Sequence, residues 1–383
     1  MKVYVVAGEP SGDLLASGLM AALRRADHGV ELRGVGGESM AAQGLESRFD
    51  IADISVMGVF EVLPRLRTIL RHVRETADDI LAWQPDVVVT VDSWGFVSQL
   101  LTRLRKAGTK IPLVHYVAPQ VWAWKKGRAK NIARLVDRLM MLLPYEGKYF
   151  EKYGLQCDFV GHPVVERTSG LELDGEGFRT RHGIPPGARV VCVLPGSRRN
   201  EVSRLLPVFR RTLDILRDKY GDFCVVVPTV GAIEARVRKG FEGLPVRLVT
   251  GEDERYNAFA VSEIAIAKSG TVSLELAALR VPHMIAYTFN PFTNLLVKAV
   301  VKTPFANLIN ILAGREIVPE FVLERCRPSL IAACAEGLLD SPAAAAAQAA
   351  EAAAVLDTLR PPGMMPSERA AQIVIEAALT ARS

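Results

Sequence analysis

Metal-binding spacings are missing from this sequence. Its six histidines, His28, His72, His115, His162, His182 and His283, form no HxH or HExxH group. No DxD follows a strand-like run, as a metal-dependent nucleotide-sugar enzyme would use. No bound metal is therefore expected. GxGxxG is absent after the first strand-like run, which argues against a nicotinamide or flavin. Cysteine is scarce: Cys157, Cys192, Cys224, Cys326 and Cys334 are odd in number and form no CxxC. That excludes a disulfide scaffold and reads as reduced thiols in a cytosolic protein. No apolar run approaches the roughly 20 residues of a spanning helix. The start, MKVYVVAGEPSGD, turns polar too early for a signal peptide. The reading is a soluble or peripheral protein. A strong charge bias is also missing: Lys+Arg 47 against Asp+Glu 42 leaves +5. So small an excess does not argue for nucleic acid. It suits a phosphorylated substrate and an anionic membrane surface equally.

What is present is globular. With 383 residues, 49% hydrophobic and 23% charged, the chain has material for two buried cores. Short β-branched runs alternate with amphipathic stretches. KVYVVA, VELRGV, DVVVTVD, PLVHYV and DRLMML read as strands in the first half. Leu14–Ala26 and Pro64–Trp83 read as helices between them. In the second of these, Leu66, Ile69, Leu70, Val73, Ala77, Ile80 and Leu81 fall on one face, with Pro64 in the first turn. The polar stretch GHPVVERTSGLELDGE, from Gly161, marks a junction. The pattern then restarts with RVVCVLPG, FCVVVP, PVRLVT, EIAIAKSG and PHMIAY. Near-continuously apolar strands alternating with helices imply parallel, doubly wound sheets. The expected domains are 1–165 and 166–360, both Rossmann-like α/β, followed by a helix in 361–383. Residues 343–356 are Ala-rich and helical on propensity.

Candidate chemistry sits where strands end. GEPSGD follows the first strand, where such sheets bind ligands; Glu9 and Ser11 lie in it. It reads either as a ligand loop or as a βα turn capped by Ser11 or Asp13. Asp92 ends DVVVTVD. It is either a general base for an attacking hydroxyl or the N-cap of the next helix. His115 ends the next strand, either as a structural histidine or as a functional one. Ala118–Lys130 interleaves Trp122 and Trp124 with Lys125, Lys126 and Arg128, which reads as a sugar-phosphate contact or a packed loop. In LPGSRRNEV, Gly196-Ser197-Arg198 precedes a helix, whose first N–H groups favour an anion. Arg198 reads either as a bidentate cation for a diphosphate or as a surface arginine on a turn. AKSGTVSLELA repeats the logic: Ser269-Gly270-Thr271 turns into a helix, and Glu275 reads as a partner for ribose hydroxyls or as a solvated helix acid. Two segments pair apolar with basic residues. Ser55–Arg74 holds Val56, Met57, Val59, Phe60 and Val62 beside Arg65, Arg67, Arg71 and Arg74, and Pro291–Glu316 is apolar with Lys298, Lys302 and Arg315. Each suits an anionic lipid surface or a buried helix with a solvated face.

Nine segments in this order resemble the lipid A disaccharide synthase family of GT-B glycosyltransferases. They are AGEPSGD, VMGVFEVLPRLR, the strand ending at Asp92, HYVAPQVWAWKKGR, GHP, LPGSRRNEV, SGTVSLE, PFTNLLVKAVVKT and LINILAGRE. The resemblance runs nearly end to end. It implies two Rossmann-like domains facing a cleft, with the acceptor and lipid side first and the nucleotide-sugar side second. It implies metal-independent, inverting transfer from UDP-2,3-diacylglucosamine to 2,3-diacylglucosamine 1-phosphate. The products are a β-1,6-linked disaccharide 1-phosphate and UDP. No cofactor is implied. Asp92 matches the family's essential aspartate, Arg198 its Gly-Ser-Arg arginine, and Asn310 an asparagine near the active cleft. Ser269, Gly270, Thr271 and Glu275 match the nucleotide-sugar turn. A location on the cytoplasmic side of an anionic inner membrane is implied, and a homodimer is allowed. A UDP-sugar 2-epimerase or a non-catalytic nucleotide-sugar-binding protein would share the fold. The sequence departs from the family after Asp92, where Trp94 replaces a proline and Val97 a polar residue.

Overall fold

The computed structural model describes residues 1–55, 59–119, 121, 127–289 and 304–380; over 59–63 it describes helical backbone only. The chain divides into two compact units, Met1–Glu166 with Leu359–Ser383, and Arg167–Thr358.

The first unit begins with β1 (Lys2–Ala7), α1 (Pro10–Ala26), β2 (Glu31–Val35) and α2 (Glu38–Ala42). It continues through α3 (Val59–Trp83), β3 (Val87–Val91), α4 (Trp94–Lys106) and β4 (Leu113–Tyr116). After these come α5 (Arg128–Leu135), β5 (Arg138–Met141), β6 (Gln156–Phe159) and α6 (Pro163–Arg167). The strands form a parallel sheet in the order β2-β1-β3-β4-β5-β6. Apolar residues on both faces of β1 feed two cores. Tyr4 and Val6 enter one, while Val3, Val5 and Ala7 enter the other. Side chains alternate along a strand, so a sheet covered on both faces needs such an unbroken apolar run.

Two starts differ from the sequence reading. α1 begins at Pro10, with proline at the first helical positions, rather than at Leu14. α3 begins at Val59, which places Pro64 inside the helix. So near the start, a proline forfeits one backbone hydrogen bond and the helix absorbs the loss.

The second unit repeats the alternation. It holds α7 (Gly175–Arg181), β7 (Val190–Leu194), α8 (Arg199–Tyr220), β8 (Cys224–Pro228), α9 (Gly231–Gly240) and β9 (Val246–Val249). Next come α10 (Glu252–Ala260), β10 (Ile264–Lys268), α11 (Val272–Ala278) and β11 (His283–Tyr287). The last elements are α12 (Leu308–Ala313), β12 (Glu320–Val322), α13 (Pro328–Asp340) and the Ala-rich α14 (Pro342–Asp357). Its sheet is parallel with the order β12-β11-β10-β7-β8-β9. α14 buries Ala345, Ala349, Ala352 and Leu356, one helical stripe.

The chain then returns to the first unit as α15 (Pro366–Thr380). Ile373 and Val374 of α15 are fully buried in one core with Leu19, Met20 and Leu23 of α1. Gly161 lets the return segment pass. Its φ is +87°, and a Cβ there would stand 2.7 Å from the Leu359 carbonyl oxygen. The His162 N–H donates to that carbonyl at 3.0 Å. Glu166 accepts from the backbone N–H and hydroxyl of Ser367, at 3.0 and 2.6 Å, in the first turn of α15. GHP is thus a seat for the C-terminal segment. Among the described residues no single helix is long and apolar enough to cross a membrane.

Candidate active site

Each sheet has one place where the strand order reverses, and open α/β sheets bind ligands outside the strand ends there. In the first unit it lies between β1 and β3, whose last residues, Ala7 and Val91, are in register. In the second it lies between β7 and β10, with Leu194 level with Ala267. Topology therefore brings GEPSGD beside Asp92, and the Gly196 turn beside the Ser269 turn.

Asp92 and Ser93 both take left-handed backbone, with φ of +53° and +45°. Such residues cost of order 1–3 kcal/mol each and persist where the surroundings fix them. Here the Asp92 N–H continues the sheet ladder to the Tyr116 carbonyl at 3.0 Å. The Ser93 carbonyl accepts from Phe96 and Val97 of α4. Ser93, not Asp92, is the residue before α4, and no side chain caps that helix. The N-cap alternative for Asp92 is thereby corrected. Asp92 is half-buried, and the exposed Ser11 hydroxyl stands 3.5 Å from its Oδ2. Burial pushes its carboxyl above the usual aspartate value, against the Ser93 N–H and the Ser11 hydroxyl, which pull it down.

Glu9 precedes α1, where its carbonyl accepts from the Asp13 N–H at 2.9 Å. Neither Ser11 nor Asp13 caps α1, because the helix already starts at Pro10. The buried Asp13 instead accepts from the N–H groups of Gly37, Ser39 and Met40 and so caps α2. His115 is fully buried with Nδ1 2.8 Å from the Thr90 hydroxyl, and burial pushes its pKa down to about 3. It is a neutral structural histidine. The two departures after Asp92 go inward: Trp94 meets the His115 ring edge-on at 5.0 Å, and Val97 is fully buried.

In the second unit Gly196 has φ +108°, and a Cβ there would come within 2.9 Å of Glu201 Oε2. Only glycine turns there without strain. Ser197 is exposed. Arg198 precedes α8, its exposed guanidinium 3.5 Å from Glu201 Oε1. The Ser269 N–H donates to the Ala286 carbonyl and its hydroxyl to that of Ala306. Gly270 and Thr271 complete the turn; Thr271, exposed, precedes α11. Glu275 is 5% exposed. Its Oε1 accepts from Arg167 Nη2 at 2.8 Å, while Oε2 has no hydrogen-bond partner and lies 3.6 Å from Arg255 Nε. Both oxygens of Glu275 are thus buried against arginines, and Oε2 has hydrogen-bonding capacity that no described residue uses.

Asn310 does something else. Its amide nitrogen donates to the Val318 carbonyl and Glu320, and its oxygen accepts from the Ile317 and Val318 N–H groups, all within 2.9 Å. All four of its bonding positions are filled. Fully buried, it holds the loop before β12. Arg65 and Arg67 are exposed on α3, beside Leu66 and Leu70, which are 38% and 46% exposed. Val56 and Met57 lie outside the described residues, as do the side chains of Val59, Phe60 and Val62. Trp122, Trp124, Lys125, Lys126 and the stretch 291–303 also lie outside them. Among the described residues no group of three His, Cys, Asp or Glu side chains gathers as metal ligands would.

Four further residues at these sites stand out only in the structure. Arg167 and Arg255 hold Glu275. Glu201 and Lys268 form an ion pair at 3.2 Å between the two glycine turns. The signals were a lysine directly before Ser-Gly-Thr and an acid in the first turn after Gly-Ser-Arg.

Residues 3–374 match the family described as lipid-A-disaccharide synthetase (LpxB). The chain belongs to this family. A lipid-A-disaccharide synthase of Rhodospirillum centenum is 47% identical over 97% of this chain and 94% of its own length. That of Paramagnetospirillum magneticum is 46% identical over 98% and 97%. Membership makes the protein a glycosyltransferase of lipid A biosynthesis. Solved structures share the fold at low identity. The Staphylococcus aureus MnaA–UDP structure has a TM-score of 0.65 at 12% identity, covering 99% of this chain and 97% of its own. The Neisseria meningitidis UDP-GlcNAc 2-epimerase bound to UDP-GlcNAc has 0.64 at 13%, covering 99% and 100%. Acinetobacter baumannii MurG has 0.60 at 11%, covering 98% and 99%. The two Rossmann-like sheets and these likenesses make the architecture GT-B. The likeness to an epimerase extends to the fold alone.

Proposed function

We propose that the protein transfers 2,3-diacylglucosamine from its UDP derivative to 2,3-diacylglucosamine 1-phosphate, with inversion and without a metal. The observation that carries the mechanism is Asp92: a half-buried carboxylate at a switch point, with its pKa raised, on a backbone held in a strained turn. A raised pKa suits a group that must take up a proton. The acceptor's 6-hydroxyl attacks the anomeric carbon of the donor. Its proton passes to Asp92, and the bond from that carbon to the diphosphate oxygen breaks with its electron pair leaving on UDP. One displacement inverts the centre. Glu9 and Ser11 line the acceptor side.

The Gly196-Ser197-Arg198 turn receives the diphosphate, with Arg198 countering the charge that grows on the leaving oxygen. The Ser269-Gly270-Thr271 turn faces the nucleotide, and Glu275 Oε2, which has no hydrogen-bond partner, accepts from the ribose. The acyl chains are presented at an anionic cytoplasmic membrane face. Exposed Leu66 and Leu70 beside Arg65 and Arg67 support that placement, and a homodimer is compatible with it.

The test is UDP release from the donor, with and without acceptor, in EDTA, for wild type and Asp92→Ala. Acceptor-dependent release that survives EDTA and falls by about 10²–10⁴-fold in the variant is expected. Release lost in EDTA, or retained in the variant, defeats the mechanism. Replacing Val59 and Val62 by serine is expected to reduce co-sedimentation with anionic vesicles; unchanged co-sedimentation defeats the membrane role of that segment.

A further inference from the structure

Lys268 is the last residue of β10, at the switch point of the second sheet. Its side chain runs between both glycine turns. A Cβ on Gly196 would stand 3.6 Å from Lys268 Cγ, and one on Gly270 would stand 3.5 Å from Nζ. The ammonium lies 3.2 Å from Glu201 Oε1 and 5.4 Å from the centre of the Tyr287 ring. Its side chain is 21% exposed, so it is held yet reachable. Glu201, 8% exposed, is shared by Lys268 and Arg198. Two cations on one carboxylate leave positive charge in excess at the strand ends. Neither turn has a side chain to screen it at Gly196 or Gly270.

We propose that Lys268 is a second cation for the leaving diphosphate, held in readiness by Glu201 as a positioning residue; this rests on the donor reading above. On binding, the ammonium keeps Glu201 on one side and takes a phosphate oxygen on the other. An ammonium has three donors, so it serves both at once. Its pull grows as the leaving oxygen gains charge, so it acts more strongly in the transition state than on the bound donor.

The experiment measures affinity for UDP and for uridine by calorimetry, together with kcat and KM for the donor. The variants are Lys268→Met, Lys268→Arg and Lys268→Met with Glu201→Gln. Lys268→Met is expected to weaken UDP by tenfold or more and uridine by less than twofold, with kcat falling further than KM rises. Lys268→Arg restores UDP to within about threefold, since it keeps a cation. The double variant removes the carboxylate that Lys268→Met would leave partly unpaired, and it is the measurement that decides if the single variant does not fold. The inference is overturned if UDP binding by the folded Lys268→Met or double variant stays within twofold of wild type, or if uridine is lost in parallel. Failure of the wild type to bind UDP would instead overturn the donor reading.

Discussion

Asp92 combines three properties that a sequence does not show together: left-handed backbone, partial burial and a hydroxyl 3.5 Å away. Its identity and its place at a strand end were legible, because an acid after five apolar or small residues ends a buried strand. Its raised pKa was not, since burial depends on the neighbouring strands. The base must be ionised to work. We expect kcat/KM to fall on the acid side at a pH above the ordinary aspartate value of about 3.9, with that limb lost in Asp92→Asn. The same shift has a stability consequence. A carboxyl whose pKa is raised on folding favours the folded state below its unfolded value. That contribution is lost as pH rises through the folded value. Asp92→Asn should therefore raise the melting temperature at pH 8 and leave it unchanged at pH 3. An equal effect at both would mean the residue is not desolvated. Asn310 shows the same dependence: its type and position were legible, but not that its amide is fully used by the Ile317–Glu320 loop. Hydrogen-bond saturation is a tertiary fact.

At the scale of elements, the inner strands and the edge strands β2 and β9 were readable, while the edge strands β6 and β12 were not. β1, β3, β7 and β10 sit inside their sheets, so both faces are covered and the apolar run is continuous. β6 (QCDF) lies at one edge and β12 (EFV) at another. An edge strand is covered less completely, and neither short segment carries a period that a sequence window detects. Helix periodicity found α3 and α15, but not what α15 packs against. Ile373, fully buried against α1, tests that contact. Ile373→Ala is expected to cost about 2–5 kcal/mol, read by urea unfolding and by faster amide exchange in α1 and β1. Amides of β7 and β10 should keep their protection. Loss of protection in both units would mean that they unfold as one.

At the scale of the whole molecule, the chain leaves its first unit after Glu166 and re-enters it at Leu359. In sequence, residues 361–383 show a terminal helix with no partner indicated. The return is fixed by contacts about 200 residues apart in sequence: Gly161 and His162 against Leu359, and Glu166 against Ser367. Deleting 359–383 should therefore uncover the α1 face and strip exchange protection from the first unit, while the second keeps its own. Unchanged protection in the first unit would show that the helix is dispensable there. The sequence by itself determined the strand and helix types, the parallel sheets and the turns that bear the chemistry. These follow from local periodicity, from glycine and proline, and from where charged residues interrupt apolar runs. Tertiary structure alone decided which turns meet. Strand order puts the end of β1 beside that of β3 and the end of β7 beside that of β10. It also decided which polar groups pair, tying Asn310 to the loop before β12 and Glu275 to Arg167 and Arg255, and it set Lys268 between two glycine turns. Pairing across a sheet is a non-local choice, made by the burial of whole faces rather than by any short stretch of chain.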